Sequence, residues 1–471
     1  MERNAGAFKE NVKEALTQDT MLGVMDLMGK FQPMGRAQVS KALPEFEDLR
    51  DRARDIKNHV LANLDYYLEQ YEKEVIASGG HVHWCETHEE ARDKVLEICR
   101  SVDAKLVTKG KSMITEEMHL NQHLEENGIT PVETDMGEYI VQLADEPPSH
   151  IIGPALHKTK DEVSDLFYEH HKTQRWTEGE DLMAEGRKVL REKYFEADVG
   201  ITGANFLIAE SGTSVIVTNE GNGDLTQSTP KVHIVCASIE KVIPSFEDFS
   251  TFIRLLPRSA TFQEISVYTT FSTGPKRETD PDGPEEYHVV LVDAGRSKLL
   301  GTDYQDVLRC IRCSACLAHC PIYTAVGGHA YGATYQGPIG AALDPVIVGL
   351  DEAHHLPKAS TFCGRCEAVC PVRIPLPKIL RYWRTEAFEK RQTTVHERWG
   401  LAVWAWFARR PRLYHRFSKL GVAALTNAGG EKGFLKWFPF LKGWTRTRDL
   451  PTPEGETFQA LYAKRQKEVR S

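Results

Sequence analysis

Seven of the ten cysteines in this 471-residue chain lie between residues 310 and 370, in two short groups. The first group reads C-I-R-C-S-A-C-L-A-H-C-P and the second reads C-G-R-C-E-A-V-C-P. The N-terminal segment has no apolar signal core and no run of about 18 apolar residues occurs, so we expect a cytoplasmic protein. Because disulfides are rare in the cytosol, these cysteines need another role, and that role constrains the fold.

The spacing of the first group is C-x2-C-x2-C-x3-C-P, the run that binds iron–sulfur clusters in bacterial ferredoxins. Soft thiolates suit iron–sulfur ligation, and the close spacing lets one short loop surround a cluster. A structural zinc site is the main alternative, but zinc prefers four ligands in paired C-x2-C units. The sequence therefore predicts two iron–sulfur clusters.

In two-cluster ferredoxins the cysteine before the proline binds the other cluster. Applied here, this crossover predicts one complete 4Fe-4S site formed by Cys310, Cys313, Cys316 and Cys370. The second site receives only Cys320, Cys363 and Cys366, because the first position of the second group falls on Ser360. The second cluster is then either 3Fe-4S, or 4Fe-4S completed by Ser360, a nearby group, solvent or substrate.

The remaining chain predicts an α/β protein of four parts. Residues 1–75 form a helical N-terminal arm in which we find no chemistry, and residues 76–300 form an α/β domain with a mostly parallel sheet. Residues 301–378 form a ferredoxin-like iron–sulfur domain, and residues 379–471 a basic, Trp-rich helical region. One amphipathic helix is predicted from Val60 to Val75. Short strands are predicted at Lys105–Thr108, His150–Ile152, Val215–Thr218, Val232–Cys236, Ile265–Thr270 and His288–Val292.

Three polar, glycine-bearing loops of the α/β domain are candidates for a ligand pocket, since ligands of open α/β sheets bind beyond the strand ends. Lys109, Lys111 and Ser112 are candidates for holding an anion. The candidate acids or bases are Glu133, Asp135, Glu138 and Glu210. The alternative is that these loops are turns whose polar residues serve the backbone.

Several activities lack the motif that they require. No G-x-G-x-x-G follows a predicted strand and no G-x-x-x-x-G-K-[ST] occurs, so neither a Rossmann site nor a P-loop is predicted.

Residues 371–448 contain 17 Lys or Arg against 4 Glu and no Asp, and six of the eight Trp. This stretch is a candidate surface for a protein partner or a membrane. The alternative is a cap over the clusters, which we favour for most of the tryptophans; no nucleic-acid recognition motif accompanies the charge.

Several segments resemble the lactate utilization protein B family over essentially the whole chain. They include V-T-K-G-K-S-M-I-T-E-E, V-E-T-D-M-G-E-Y-I-V-Q-L, P-S-H-I-I-G-P-A-L-H-K-T-K-D-E-V and C-G-R-C-E-A-V-C-P. The resemblance implies a LUD domain, similar in fold to ribose-phosphate isomerase and CoA-transferase domains. It also implies an iron–sulfur electron-transport component that acts with partner proteins A and C to oxidise L-lactate to pyruvate. No catalytic residue is implied.

Two functions follow as hypotheses. In the first, the chain is the redox subunit of a lactate-oxidising system, cytoplasmic or peripheral to the inner face of the membrane. In the second, the LUD domain binds a phosphorylated or CoA-like effector while the clusters sense redox state. Lactate oxidation releases two electrons and two protons, and clusters take up single electrons only. A base for the hydroxyl proton and a group that takes the α-hydrogen must therefore come from the LUD pocket, an incompletely ligated cluster, or a partner.

Overall fold

A computed structural model describes residues 4–438 and 442–470 of the chain. Two compact units are present, Met1–Ala387 and Phe388–Ser471. The strands in chain order are β1 (His81–Cys85), β2 (Leu106–Lys109), β3 (Thr130–Glu133), β4 (Val199–Gly203), β5 (Phe206–Ile208), β6 (Thr213–Thr218), β7 (Val232–Ser238), β8 (Val242–Ile243), β9 (Tyr268–Ser272), β10 (Glu286–Val292), β11 (Phe434–Leu435) and β12 (Leu450–Pro451).

The first unit begins with four helices: α1 (Phe8–Ala15), α2 (Asp19–Lys41), α3 (Phe46–Ala62) and α4 (Leu64–Ala77). The single helix predicted from Val60 to Val75 is wrong, because the chain leaves helical geometry at Asn63. The apolar residues of both helices nevertheless belong to one core: Val60 and Val75 are both buried against the same face of the main sheet.

The main sheet has six strands in the order β1-β10-β7-β4-β2-β3, and every neighbouring pair is parallel. Its two faces are covered by separate apolar cores, as an all-parallel sheet requires. The helices of this region are α5 (His88–Ser101), α6 (Met113–Glu117), α7 (Leu120–Glu126), α8 (Met136–Leu143), α9 (Lys160–His171), α10 (Gly179–Glu196), α11 (Asn222–Ser228) and α12 (Phe246–Ala260). The predicted α/β class with a parallel sheet is confirmed.

A second sheet of four strands has the order β8-β5-β6-β9. In it β6 is antiparallel to both β5 and β9, and β8 is parallel to β5. Five of the six strands predicted from sequence coincide with or overlap observed strands. The strand predicted at His150–Ile152 is wrong: this segment is a loop, in which His150 Nδ1 accepts the N–H groups of Ile152 and Gly153, each at 3.1 Å. These local hydrogen bonds turn the backbone and replace those of a sheet.

Short helices surround the cysteine groups: α13 (Ala315–Ala318), α14 (Tyr323–Val326), α15 (Gly337–Ile347), α16 (Leu350–Ala353), α17 (Arg365–Val369) and α18 (Leu376–Glu389). One continuous apolar core connects them to the N-terminal helices and to the four-stranded sheet. Met25 of α2, Phe252 of α12 and Leu317 of α13 are all fully buried in it. The cysteine region is therefore built onto the α/β region.

The second unit contains α19 (Val395–Ala408), α20 (Pro411–Gly429), α21 (Lys442–Thr445) and α22 (Phe458–Arg470). Its tryptophans are exposed: Trp399 by 69%, Trp404 by 59% and Trp406 by 49%, with Trp437 and Trp444 also exposed. Among the six tryptophans of the basic stretch, Trp383 of α18 is buried. That the others cap the clusters stays a prediction. No described helix is both long and apolar enough to cross a membrane.

Candidate functional site

The first cysteine set comes from a tight loop, the short helix α13 that follows it, and the end of the distant helix α17. Cys310, Cys313, Cys316 and Cys370 line one small cavity. Arg312 and Ser314 have φ values of 59° and 57°, so the backbone turns through left-handed geometry on both sides of Cys313. Cys370 follows α17 directly. The loop and the helix end thus bring four thiols to one space.

The second cysteine set lines another cavity, together with Ser360. Its members are Cys320, Cys363 and Cys366. Cys320 and Cys366 are buried, whereas Cys363 is exposed. The Ser360 hydroxyl accepts the N–H of Phe362 at 3.2 Å. This set is therefore next to the protein surface, and the serine at the missing cysteine position lies at the same cavity.

For Cys313 and for Cys366, the neighbouring thiols that raise the pKa belong to the same set. Burial first, then Cys370 and Cys310, raises the pKa of Cys313 to about 12. Burial first, with Cys320 and Cys363 as neighbouring thiols, raises the pKa of Cys366 to about 12. None of the seven cysteines forms a disulfide, so their thiols are free to ligate a metal, which binds them in the deprotonated form.

Backbone N–H groups are directed at the sulfurs. The N–H of Arg312 donates to Cys310 Sγ and that of Ile374 donates to Cys370 Sγ, each at 3.4 Å. Hydrogen bonds to cysteine sulfur are among the features that set the potential of an iron–sulfur cluster. The residues present therefore fit the clusters that the spacing predicts.

The N-terminal helices contribute two arginines to this region, which the sequence did not indicate. The Arg50 side chain donates to the carbonyl of Cys370 at 2.8 and 3.0 Å and to that of Ala368 at 2.7 Å. Arg36 donates to the carbonyl of Val369 at 2.6 Å. Both are buried. The sequence could have indicated these arginines only by their positions, because each lies on the buried side of its helix, among apolar residues of α2 or α3.

A larger cavity of about 270 Å³ opens beyond the carboxyl ends of β2, β4 and β7, the place where ligands of parallel sheets bind. The second sheet closes its other side through Ile216–Thr218 of β6. A Cβ atom at Gly203 would come within 2.6 Å of Ser112 Oγ, so glycine lets the loops after β2 and β4 approach there. Arg312 and Ile151 line both this cavity and the first cysteine cavity.

The predicted pocket residues are divided among three places. Lys111, Ser112 and Asp135 line the large cavity. The Lys111 ammonium donates to the carbonyl of Ile152 at 2.7 Å, and Asp135 caps α8. Glu210 lies outside the cavity, exposed, and accepts the N–H of Phe246 at 2.7 Å.

Lys109, Glu133 and Glu138 belong to a buried group with Glu116. Lys109 Nζ lies 2.7 Å from Glu133 Oε1 and 3.2 Å from Glu116 Oε1. Burial lowers the pKa of Lys109, but the Glu133 and Glu116 carboxylates raise it by more. Burial, followed by the Glu116 and Glu133 charges, raises the pKa of Glu138. The lysine thus balances a buried acidic group and is not a free anion-binding group.

Sequence inspection missed three residues at the cavity. Lys241, which follows β7, lines it and makes no ion pair within the described chain. Arg312 Nη2 pairs with Glu240 Oε1 at 3.1 Å, and its guanidinium lies 4.6 Å from the Tyr335 ring centroid. Glu220 accepts the N–H of Met136 at 3.2 Å, and burial, then the Asp135 charge, raises its pKa. The signal for Arg312 was its place between Cys310 and Cys313.

Three family models match successive parts of the chain. They are the LUD domain at residues 68–292, a 4Fe-4S dicluster domain at residues 306–374 and the C-terminal domain of lactate utilisation protein B at residues 388–467. A crystal structure of a DUF162 family protein from Deinococcus radiodurans has a TM-score of 0.27 and 11% identity. It covers 49% of this chain and 98% of its own chain, a likeness too weak to carry an argument.

Curated relatives match over nearly the whole length. Lactate utilization protein B of Bacillus velezensis is 43% identical, covering 99% of each chain. The protein of the same name from Bacillus subtilis is 41% identical, covering 100% of this chain and 99% of its own. That from Bacillus licheniformis is 42% identical, covering 98% and 97%. By this full-length similarity and the three successive domain matches, the chain belongs to the lactate utilization protein B family.

Proposed function

We propose that this chain is the iron–sulfur electron-transfer component of a multi-protein system that oxidises L-lactate to pyruvate. The observation that carries the proposal is the arrangement of seven cysteines around two cavities, next to a ligand-sized cavity of the LUD domain. Relatives covering the same length are named for lactate utilization. The matched dicluster domain supports the cofactor.

Cys310, Cys313, Cys316 and Cys370 would hold a 4Fe-4S cluster in the first cavity, and Cys320, Cys363 and Cys366 the second cluster. When bound, these clusters accept and release single electrons. The second is either 3Fe-4S or a 4Fe-4S cluster whose fourth iron takes a ligand other than cysteine, with Ser360 the nearest candidate in sequence. Iron and EPR measurements on anaerobic protein separate these forms.

The surroundings of the two sets suit different tasks. The first set is packed among buried apolar residues such as Ile311, Ile374 and Leu376, which exclude water. The second set includes the exposed Cys363, with Phe362 and Arg365 also exposed beside it. We therefore expect the second set to face the protein that exchanges electrons with this chain.

The function is tested by reconstitution with the partner proteins A and C under anaerobic conditions. We expect L-lactate to reduce an artificial dye only when all three proteins are present, and D-lactate to be much less effective. The Cys310→Ala variant is the matched preparation without the first cluster, and we expect at least a 100-fold loss of rate. The proposal is wrong if the complete wild-type system, with both clusters in place, leaves the dye oxidised.

The large cavity also favours a second candidate function, a redox sensor whose LUD domain binds a phosphorylated or CoA-like effector. Lys111 and Ser112 are the residues that would meet such an effector. A sensor would not purify with partner proteins or support dye reduction. Its affinity for coenzyme A or inorganic phosphate would instead change on oxidation, which titration of both redox states measures.

The exposed aromatic surface of α19 is the place where we expect a partner protein to bind. Trp399 and Trp406 lie seven residues apart and so on one side of the helix. Buried tryptophans at interfaces commonly contribute 2 kcal/mol or more, so replacing both with Gln should weaken partner binding by about 30-fold or more. Surface plasmon resonance with each partner measures this.

Tyr168→Gln, an exposed aromatic of α9, is the control for that variant and should bind normally. The iron content of the double variant should equal that of wild type, since neither tryptophan is near a cysteine in sequence. Unchanged affinity for both partners would contradict the assignment. Loss of binding to anionic vesicles in place of protein would make this surface a membrane contact.

A further inference from the structure

We propose that the large cavity binds a small monocarboxylate, a 2-hydroxy or 2-oxo acid, with its carboxylate paired to Lys241 beside Arg312. This inference rests on the proposed function and specifies where in the system the substrate is held. It assigns a role to Lys241, which no motif indicates, and it places the ligand next to the loop that carries Cys310 and Cys313.

The size of the cavity suits such an acid. A cavity of about 150 Å³ in another protein interior accommodates benzene, which has as many non-hydrogen atoms as lactate. The cavity here is about 270 Å³, so a three-carbon acid enters with some water. Ile152, Ile216 and Leu256 supply apolar walls on which the methyl group of such an acid would rest.

The charges of the cavity are separated along the sheet. Lys241 follows β7, and Arg312 lies near it through their common neighbour Glu240. Asp135 follows β3, and Glu220 reaches the same place by accepting the Met136 N–H. Because β4 and β2 lie between β7 and β3, the cationic and acidic ends are roughly 14 Å apart at ordinary strand spacing.

Lys241 is the group best placed to meet a carboxylate. Its ammonium has no carboxylate within ion-pair distance in the described chain, whereas Lys111 is already bonded to a backbone carbonyl. Arg312 is more than nine-tenths buried, and its Nη1 has no hydrogen-bond partner in the described structure. Burial, then the Arg312 charge, lowers the pKa of Lys241 to about 7, and a bound carboxylate would favour its ammonium form. Lys241 and the unpartnered Arg312 Nη1 then form a site for an anion at one end of the cavity.

The acidic end restricts which anions fit. The Asp135 and Glu220 carboxyls both line this end of the cavity, so a second anionic group on the ligand would be repelled there. A dicarboxylate or a nucleotide polyphosphate long enough to span the cavity meets this repulsion, whereas a three-carbon monocarboxylate at Lys241 does not reach it. Charge therefore favours the small acid over a CoA-like effector.

The test measures direct binding to the anaerobic protein with both clusters, in the absence of partner proteins, by titration calorimetry. We expect L-lactate and pyruvate to bind at a single site, and malate and coenzyme A to bind at least 10-fold more weakly. Lys241→Met should weaken binding of L-lactate by about 10- to 100-fold, as expected for loss of a hydrogen bond to a charged group. Lys188→Met, an exposed lysine of α10, should bind as wild type does.

Two readouts separate a binding role from a structural one. Lys241→Met should retain the iron content of wild type, and saturating L-lactate should alter the EPR spectrum of one reduced cluster in wild type but not in the variant. The inference is overturned if the protein binds no monocarboxylate, if Lys241→Met binds it normally, or if coenzyme A binds more tightly. Lactate-dependent dye reduction by the full system would stand in each of these cases, so the two proposals fail separately.

Discussion

Replacing Cys370 with alanine should remove the same EPR signal that Cys310→Ala removes, although the two cysteines are 60 positions apart and belong to different sequence groups. The reason is the crossover: both line the first cavity with Cys313 and Cys316. We expect each variant to retain about half of the wild-type iron, the share of a single cluster. Iron analysis and EPR of dithionite-reduced protein measure both quantities.

Cys366→Ala and Cys320→Ala should remove the other signal, again as a pair drawn from the two sequence groups. Cys99→Ala is the matched control, since Cys99 is also buried but lies on α5 and lines neither cysteine cavity. Its iron content should equal that of wild type. Ligation in sequence order would be indicated instead if Cys370→Ala and Cys366→Ala removed one and the same signal.

Arg296→Met should lower the free energy of unfolding by about 3–5 kcal/mol, the cost of leaving buried carboxylates without their partner. Arg296 Nη2 lies 2.6 Å from Glu117 Oε2, and its Nε lies 3.2 Å from Glu240 Oε2. The three side chains are at most 1% exposed. Glu240 also pairs with Arg312, which lies between the large cavity and the first cysteine set. We therefore expect the substitution to destabilise this part of the structure as well.

Denaturant unfolding followed by circular dichroism measures this loss under anaerobic conditions. Arg254→Met is the control, because its ion pair with Glu45 is about 40% exposed and should contribute only about 0–1 kcal/mol. A loss for Arg296→Met no larger than that for Arg254→Met would contradict the importance of the buried network.

The same network makes a prediction about acid. Burial raises the pKa of Glu117, but the Arg296 charge and then a hydrogen bond with His88 lower the pKa by more, to a net value of about 2. Since the folded-state pKa is depressed from 4.5, the stabilisation is fully present above about pH 4.5 and is lost as the pH falls toward 2. The stability difference between wild type and Glu117→Gln should therefore shrink over this range.

Local spacing was sufficient to predict the cysteine chemistry and most strands. The C-x2-C-x2-C-x3-C-P run identifies the kind of cofactor and three ligands of one cluster, and parallel strands buried on both faces appear as short apolar runs. Prediction failed where a side chain satisfied the backbone instead. His150 accepts two backbone N–H groups and makes a loop from an apolar segment. Asn63, between two helices that share one apolar face, donates its side-chain amide to the carbonyl of His59.

The candidate site was predictable only in part, for a related reason. Lys111, Ser112 and Asp135 follow strands whose carboxyl ends meet at one edge, so their place at the cavity follows from the α/β pattern. Lys109 and Glu133 are the last residues of β2 and β3, directly before these loops, and their side chains form a buried ion pair. No sequence pattern tells a side chain that turns into this ion pair from one that turns into the cavity.

The residues that join the parts of this protein come from distant positions along the chain. Arg50 bonds to Cys370, Arg296 to Glu117, and Arg312 to Glu240. Each contact depends on which helices and strands pack together, and that packing is decided by apolar burial over the whole unit and not by spacing within a segment. The cysteine pattern thus predicts the cofactor, whereas long-range packing places Lys241 and the large cavity beside the first cysteine set.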